Sequence, residues 1–397
     1  MSMVGEQSVW LRAVTRPGAT VFGLMFALES LARAILAALI PLQAYKILKE
    51  ARDVSLTYFA VSIFGFCVSF AIPFFIRRFR RRWVYTGSVL MLIASAACLT
   101  TFTLSGQLAA MLLRSLAAAG LNITLSLYVL DYIRKRDLVR SEPLKLLMSA
   151  FSWTLGPSLG VYLYNEIGHG SAEMLSAGAS VTLLVYFWYL RINDNPAVAA
   201  ATKRAPNPFK SVRQFLAQPR LRLGWFIPFS RSCWWSMFFV YPQIYMVQSG
   251  KGEFAAAAVL SAGNAVLFGV AFIGKLAQRR GIRPLIIAAF LGAGSLTIAA
   301  GFAYSWPWVA AGLLLAGALC VMVLDGLGNI PFLRAVRPLE RPQMATVFRT
   351  YIDLSDLLPA ALYSVLLSFF DIRAVFFACG FWMLVAAFVA RYLPRRM

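Results

Sequence analysis

Twelve apolar stretches, each about long enough to cross a bilayer, fill nearly all of the 397-residue chain. A hydrocarbon core of ~30 Å needs about 20 apolar residues in helical form. No water is available there to pair with the backbone, so each stretch must satisfy its own N–H and C=O groups as a helix. The stretches run over 18–45, 54–76, 83–104, 107–131, 144–165, 171–190, 221–247, 254–275, 284–304, 306–330, 343–369 and 372–392. The expected fold class is an all-α membrane protein of twelve transmembrane helices. Its expected location is the plasma membrane, a bacterial inner membrane.

Charge sets the orientation. The chain carries 38 Lys and Arg against 16 Asp and Glu, a formal net charge of +22. In a soluble protein that excess would suggest nucleic acid, but its placement argues otherwise. Of the 38 cations, 29 fall in the terminal tails and in the connections after even-numbered stretches. Five (Lys46, Lys49, Arg52, Lys251 and Arg373) face the other side, and four lie well inside stretches, the remaining cations near stretch ends being counted with the connections. This is the positive-inside pattern, and it places both termini in the cytoplasm. The run Arg77, Arg78, Arg80, Arg81 and Arg82 reads as a topology anchor against anionic lipid. The expected partner is the lipid bilayer, with no nucleic acid. The first apolar run is too long for a cleaved leader and should remain as a helix.

Catalytic chemistry finds little to work with. Cys67, Cys98, Cys233, Cys320 and Cys379 all lie within apolar stretches without metal-ligand spacing, as expected of small packing residues. The only histidine, His169, sits in an outer connection, so neither a histidine metal site nor a His-based triad can be assembled. No nucleophile–base pair or phosphate loop is present either. An enzyme is not expected, nor is a cofactor or metal.

The longest hydrophilic stretch, 191–220, carries Pro196, Pro206, Pro208 and Pro219 and reads as a cytoplasmic linker. It divides the chain into an N-terminal six-helix bundle (1–190) and a C-terminal one (221–397). A shift of 202 residues brings Glu29-Ser30 onto Arg231-Ser232, Arg77-Arg78 onto Arg279-Arg280, and Pro157 onto Pro359. These matches indicate an internal repeat and two pseudo-symmetric bundles. Repeats of this kind are characteristic of transporters whose substrate site lies near the bilayer midplane.

With these features the chain resembles the major facilitator superfamily over essentially its full length. That superfamily's loop motif runs Gly-x-x-x-Asp-Arg-x-Gly-x-Arg. After the eighth stretch, Gly274, Gln278, Arg279, Gly281 and Arg283 keep its spacing, with Gln278 replacing the acid. After the second, Pro73 and Arg77 stand where Gly and Asp belong. In that superfamily the acid helps latch the cytoplasmic ends; by the resemblance this chain keeps the latch only if Asp131 or Asp137 substitutes. The fifth stretch contains Gly156-Pro157-Ser-Leu-Gly160, which looks like the Gly-Pro-x-x-Gly element of the drug/proton antiporters. Small residues at 152, 156 and 160 let a neighbouring helix come close, and Pro157 removes a backbone bond. Arg114 with Gly120 resembles the same branch's Arg-x-x-x-Gly-x-Gly element, with Ala118 at its middle glycine. By that resemblance Arg114 tunes proton binding to an acid elsewhere in the N-terminal half.

Eight charged residues lie well inside the stretches, away from their ends: Glu29, Arg33, Arg114, Arg231, Asp325, Arg349, Asp353 and Asp356. Each costs at least ~2.5–3.5 kcal/mol at the bilayer centre, so each is a functional candidate. Glu29 is about 16 Å into the first stretch at the helical rise, near the midplane. Arg33 stands one turn later on the same face. Desolvation penalises the charged carboxylate while a nearby Arg supports it, which is the physical requirement for proton coupling; a permanent Glu29–Arg33 pair is the plainer alternative. Arg231 holds the matching position in the seventh stretch, placed to bridge Glu29 or to anchor the anionic part of a cargo. Trp234 and Trp235, near mid-span, are candidates for a binding wall. Arg349, Asp353 and Asp356 share one face of the eleventh stretch. Asp356 is the second proton-carrier candidate, and Asp325 is placed to pair with Arg349 as a gate.

The expectation is a monomeric, proton-coupled secondary transporter exporting a small organic or amphiphilic compound by alternating access. Two other readings stay open: proton-driven uptake of an organic anion, and a transporter-like scaffold that moves nothing.

Overall fold

The computed structural model describes residues 19–79, 81–132, 135–190, 208–336 and 341–394. The tail 1–18, linker residues 191–207 and the side chains of Pro73, Arg77, Arg78, Asp131 and Asp137 lie outside the description. Among the described residues the structure is helical, with no strand. The first helices are α1 (Ala19–Ile35), α2 (Leu39–Leu48), α3 (Ala51–Arg78), α4 (Arg81–Leu99), α5 (Leu104–Tyr132), α6 (Lys135–Glu166) and α7 (Ser171–Tyr189). A short helix α8 (Pro208–Leu216) leads into α9 (Pro219–Phe238) and α10 (Tyr241–Gln248). Then come α11 (Gly252–Ala265), α12 (Val270–Arg280), α13 (Ile282–Phe302), α14 (Pro307–Leu327), α15 (Ile330–Ala335), α16 (Arg341–Leu366) and α17 (Arg373–Ala390).

Seven helical segments among the described residues are long and apolar enough to cross a membrane: Thr20–Leu48, Arg81–Leu99, Leu104–Val129, Gly252–Gly269, Ile282–Ser305, Pro307–Ala335 and Arg373–Ala390. The other apolar stretches also fall on helices: α3, α6, α7, α9 and α16. Composition explains why α16 is outside the apolar set, since Arg349, Asp353 and Asp356 all lie within it.

Several stretches are interrupted where the sequence suggested continuous helices. The first breaks between Ile35 and Leu39, and the seventh at the repeat-equivalent place, between Phe238 and Tyr241. The tenth breaks between Leu327 and Ile330. Proline explains all three. Pro41, Pro242 and Pro331 stand within the first three residues after each break, where a missing N–H costs no intrahelical bond. The eighth passes through a 3-10 turn at Val266–Gly269.

The chain packs as two compact units. One comprises residues 1–37 and 67–203, the other 38–66 and 204–397. Residues 38–66, read from sequence as part of the N-terminal bundle, thus pack with the C-terminal residues. Ser55 Oγ and Tyr241 Oη are 2.8 Å apart, and Lys46 Nζ lies 2.5 Å from Glu253 Oε1.

Within the first unit, α1 packs most extensively on α6, α4 on α5, and both α1 and α4 on α7. Within the second, α9 packs on α16, α13 on α14, and both α9 and α13 on α17. The two schemes match helix for helix under the 202-residue shift. The closest approach in the first unit is α6 on α1. A Cβ built at Gly156 would sit 2.6 Å from the Ala34 Cβ, and one at Gly160 would overlap the Ile35 carbonyl oxygen. Ser152 Oγ donates to the Ala27 carbonyl at 3.0 Å, continuing the same contact stripe.

Gly160→Leu should therefore lower the thermal unfolding midpoint, with overpacking costing ~1–3 kcal/mol. Gly87→Ala, in α4 with nothing within 4 Å of the new Cβ, should be neutral or gain up to about 1 kcal/mol. Unfolding scans on detergent-purified protein measure both, and equal midpoints for the two variants would refute the contact.

Candidate functional site

Each unit holds an ion pair between intramembrane charges. In the first, the i,i+4 spacing of Glu29 and Arg33 puts both side chains on one face of α1. Arg33 Nη2 lies 3.1 Å from Glu29 Oε1, with the acid side chain 0% exposed and the arginine 20%. The Arg33 guanidinium also lies over the Trp153 ring of α6, 5.9 Å from its centroid. From α5, Arg114 Nη2 donates to the Arg33 backbone carbonyl. That bond ties α5 to α1 at the level of the acid.

Small hydroxyl side chains bond to residues near Glu29 on α1. Ser30 Oγ and Ser149 Oγ are 3.1 Å apart, and Ser176 Oγ donates to the Ala32 carbonyl at 2.6 Å. Tyr85 is fully buried and interacts electrostatically with Glu29; its hydroxyl has no hydrogen-bond partner among the described residues. Sequence reading did not single out Tyr85, Ser149 or Trp153, because a Tyr, Ser or Trp in an apolar stretch carries no motif of its own.

The second centre lies on α9. Arg231 Nη1 is 3.2 Å from Asp325 Oδ1 of α14, and Trp235 Nε1 donates to Asp325 Oδ2 at 3.0 Å. Arg231 Nη2 donates to Ser232 Oγ at 3.1 Å, and its guanidinium lies 5.7 Å from the Tyr351 ring centroid. Asp325 therefore accepts from two groups of α9 at once. Asp325, expected to pair with Arg349 in one conformation only, is paired with Arg231 in this one, while Arg349 interacts with Asp353 on its own helix. Asp356 is exposed and accepts a hydrogen bond from Ser236 Oγ at 3.3 Å.

The two tryptophans divide. Trp234, expected on a binding wall, is instead fully enclosed, stacked on Phe238 with centroids 5.0 Å apart. Its Nε1 donates to Thr297 Oγ1 at 2.9 Å, so its polar end is satisfied inside the packing. Trp235 is only half-buried and stands edge-on to Trp234. Of the loop motif, Gly274, Arg279 and Arg280 are exposed, while Gly281 turns the chain from α12 into α13 at φ 82°. That value lies in the left-handed region that favours glycine. Arg283 donates to the Arg391 carbonyl at 2.6 Å, joining this loop to the end of α17. Pro157 lies inside an unbroken α6.

A recess of about 280 Å³ in the second unit is formed by helix ends rather than mid-span charges. Lys49, Arg52, Gln248, Tyr304 and Asp371 line it. Among the described residues no group of three or more His, Cys, Asp or Glu could hold a metal ion.

Breaking one partner of a buried ion pair leaves an uncompensated charge, at a cost of ~3–5 kcal/mol. Asp325→Asn and Arg231→Gln should each lower the unfolding midpoint, and the double variant should lower it by less than their sum. A coupling of about 1–3 kcal/mol is expected in that cycle; strict additivity would show that the two side chains do not interact.

A model of the Major Facilitator Superfamily matches residues 22–358. No curated protein matches the chain with significance. Among solved structures, the nucleoside transporter NupG superimposes with a TM-score of 0.73 at 14% identity, covering 94% of this chain and 98% of that one. A POT family transporter in complex with 5-aminolevulinic acid gives 0.73 at 13% identity, over 94% of this chain and 95% of that one. The POT family transporter PepTSo gives 0.72 at 10% identity, over 94% and 96%. At these identities the likeness is one of fold. Family match, helical packing and apolar spans agree: the chain is a multi-pass integral membrane protein that belongs to the Major Facilitator Superfamily.

Proposed function

We propose that the protein is a proton-coupled secondary transporter of the drug/proton antiporter type, exporting a small organic or amphiphilic compound by alternating access. In this reading it acts as a monomer in a bacterial inner membrane, crosses it twelve times and keeps both termini in the cytoplasm. The observation that carries the proposal is Glu29, a completely enclosed carboxylate whose ion-pair partner is Arg33 on its own helix. A proton arriving at Glu29 releases Arg33, and its departure restores the pair. Arg114, bonded to the Arg33 carbonyl, adjusts how readily Arg33 lets go.

The second centre supplies cargo contact and gating. Trp235 offers an aromatic face, and Arg231 becomes available to an anionic group when Asp325 leaves it. Asp325 then turns to Arg349, which makes the pair a switch between two conformations. Asp353 and Asp356 form a second proton path along α16. Gly156, Pro157 and Gly160 let α6 and α1 stay in close contact while they adjust, and Gly274, Arg279 and Gly281 shape the cytoplasmic loop. Two of the solved structures of like fold are a nucleoside transporter and a POT family transporter in complex with 5-aminolevulinic acid. Small polar molecules therefore belong in the cargo panel beside amphiphilic ones.

Proton-driven uptake of an organic anion is the second reading, since Arg231 once freed from Asp325 would also suit such a cargo. Proteoliposomes carrying a pH gradient and a cargo panel test the proposal directly. The wild-type protein should accumulate cargo in the direction opposite to proton flow, and reversing the gradient should reverse accumulation. Glu29→Gln should abolish gradient-driven flux while its unfolding midpoint shows a folded protein. Undiminished flux in Glu29→Gln would sink the assignment, and cargo moving with protons would favour the uptake reading.

A further inference from the structure

Helix α8 is amphipathic, short, and placed where a membrane surface must be. Its sequence, Pro-Phe-Lys-Ser-Val-Arg-Gln-Phe-Leu, mixes apolar and cationic residues at helical spacing. Phe215 anchors it to the protein. That ring is buried with Leu221, Phe332, Val336 and Met344, and stacks on Phe332 with centroids 6.3 Å apart. Two further apolar side chains of α8 are left over. Val212 and Leu216, one turn apart, are 41% and 56% exposed, and Leu333 of the neighbouring α15 is 56% exposed.

Cations frame this patch. Arg213 on α8, Arg220 and Arg222 at the start of α9, and Arg334 on α15 are all exposed. Among the described residues none of the four has an ion-pair partner. Only Ala217 and Gln218 separate α8 from α9, and two residues reach about 7 Å at most. Because α9 is a membrane stretch, α8 is held at the level where its cytoplasmic end leaves the bilayer.

We infer that α8 lies in the cytoplasmic membrane surface and, with Arg220, Arg222 and Arg334, forms a binding site for anionic phospholipid. Val212, Leu216 and Leu333 enter the headgroup–acyl boundary, and the guanidinium groups take the lipid phosphates. An exposed apolar face rimmed by unpaired arginines fits this occupant on both counts. Apolar area drives insertion, while charge selects anionic over zwitterionic headgroups. The site packs against α16 through α8, so bound lipid steadies the cytoplasmic end of the helix that carries Arg349, Asp353 and Asp356.

Two measurements on the full-length protein test this. In detergent, phosphatidylglycerol and phosphatidylcholine are titrated separately and retained lipid is counted by native mass spectrometry. Wild-type protein should retain phosphatidylglycerol preferentially. The variant Arg213→Gln/Arg220→Gln/Arg222→Gln should lose about fivefold in apparent affinity for each arginine removed. In nanodiscs, a spin label at Leu216→Cys reports depth by collision with oxygen or with an aqueous nickel complex, with unsubstituted protein labelled in parallel as background. The label should prefer oxygen. Equal retention of both lipids, an unaffected triple variant, or a label open to the aqueous quencher would each overturn the inference. The depth measurement keeps all four arginines, so it remains decisive if the triple variant fails to fold.

Discussion

An ionised side chain inside hydrocarbon persists only in company, and that constraint organises both halves of this protein. Glu29 could not stay charged where it is without Arg33, since burying an isolated carboxylate costs several kcal/mol even after relaxation. Arg231 and Asp325 stand under the same requirement. Packing accompanies the pairing. Arg33 also lies over the Trp153 ring of α6, the helix that packs tightly on α1. The small residues at 152, 156 and 160 make that approach possible. Charge pairing and backbone contact in the first unit are thus one arrangement rather than two.

The repeat preserves the scheme of helix pairs but not its chemistry. Under the 202-residue shift, Ser152, Gly156 and Gly160 correspond to Leu354, Leu358 and Leu362. The glycine stripe is absent from α16, and α16 meets α9 less extensively than α6 meets α1. Aromatic bulk takes its place. Trp225 and Phe229 stack at 4.7 Å, and Phe348 and Tyr351 pack with Phe229 and Cys233. One helix contact is backbone on backbone, the other ring against ring. The first has little room to slide, whereas the second can change through side-chain rotation.

How much of this the sequence disclosed depends on the kind of signal. Stretch length and cation placement made the helical class legible, because lipid imposes them on each stretch separately. Gly156 and Gly160 were readable as a close-contact stripe, though not that the neighbour would be Ala34 and Ile35 of α1. The pairing of Arg231 with Asp325 was not readable. Their 94-residue separation in the chain carries no spacing rule, and the helical face of Asp325 is decided by the packing of α14. Trp234 and Trp235 are adjacent and chemically identical, yet one is sealed against Thr297 and the other reaches Asp325. A hundred degrees of helical rotation separates adjacent residues, and only the assembled bundle tells which of them faces inward. The breaks near Pro41, Pro242 and Pro331 had a local signal, but an apolar run of full length masks it.

The two charged centres differ in what can disturb them. Glu29 and Arg33 ride on one helix, so shifting α1 as a body does not separate them; a change of protonation or of the Arg33 rotamer does. Arg231 and Asp325 sit on different helices, α9 and α14, so any slide between those helices stretches their bond and the Trp235 bond with it. The first centre is therefore sensitive to chemistry and the second to mechanical displacement. Arg114 is the exception within the first, because its bond to the Arg33 carbonyl spans α5 and α1. It is the element through which movement of a neighbouring helix reaches the acid. The charge inversion between positions 29 and 231 thus leaves a pair within one helix in the first unit and a pair between two helices in the second.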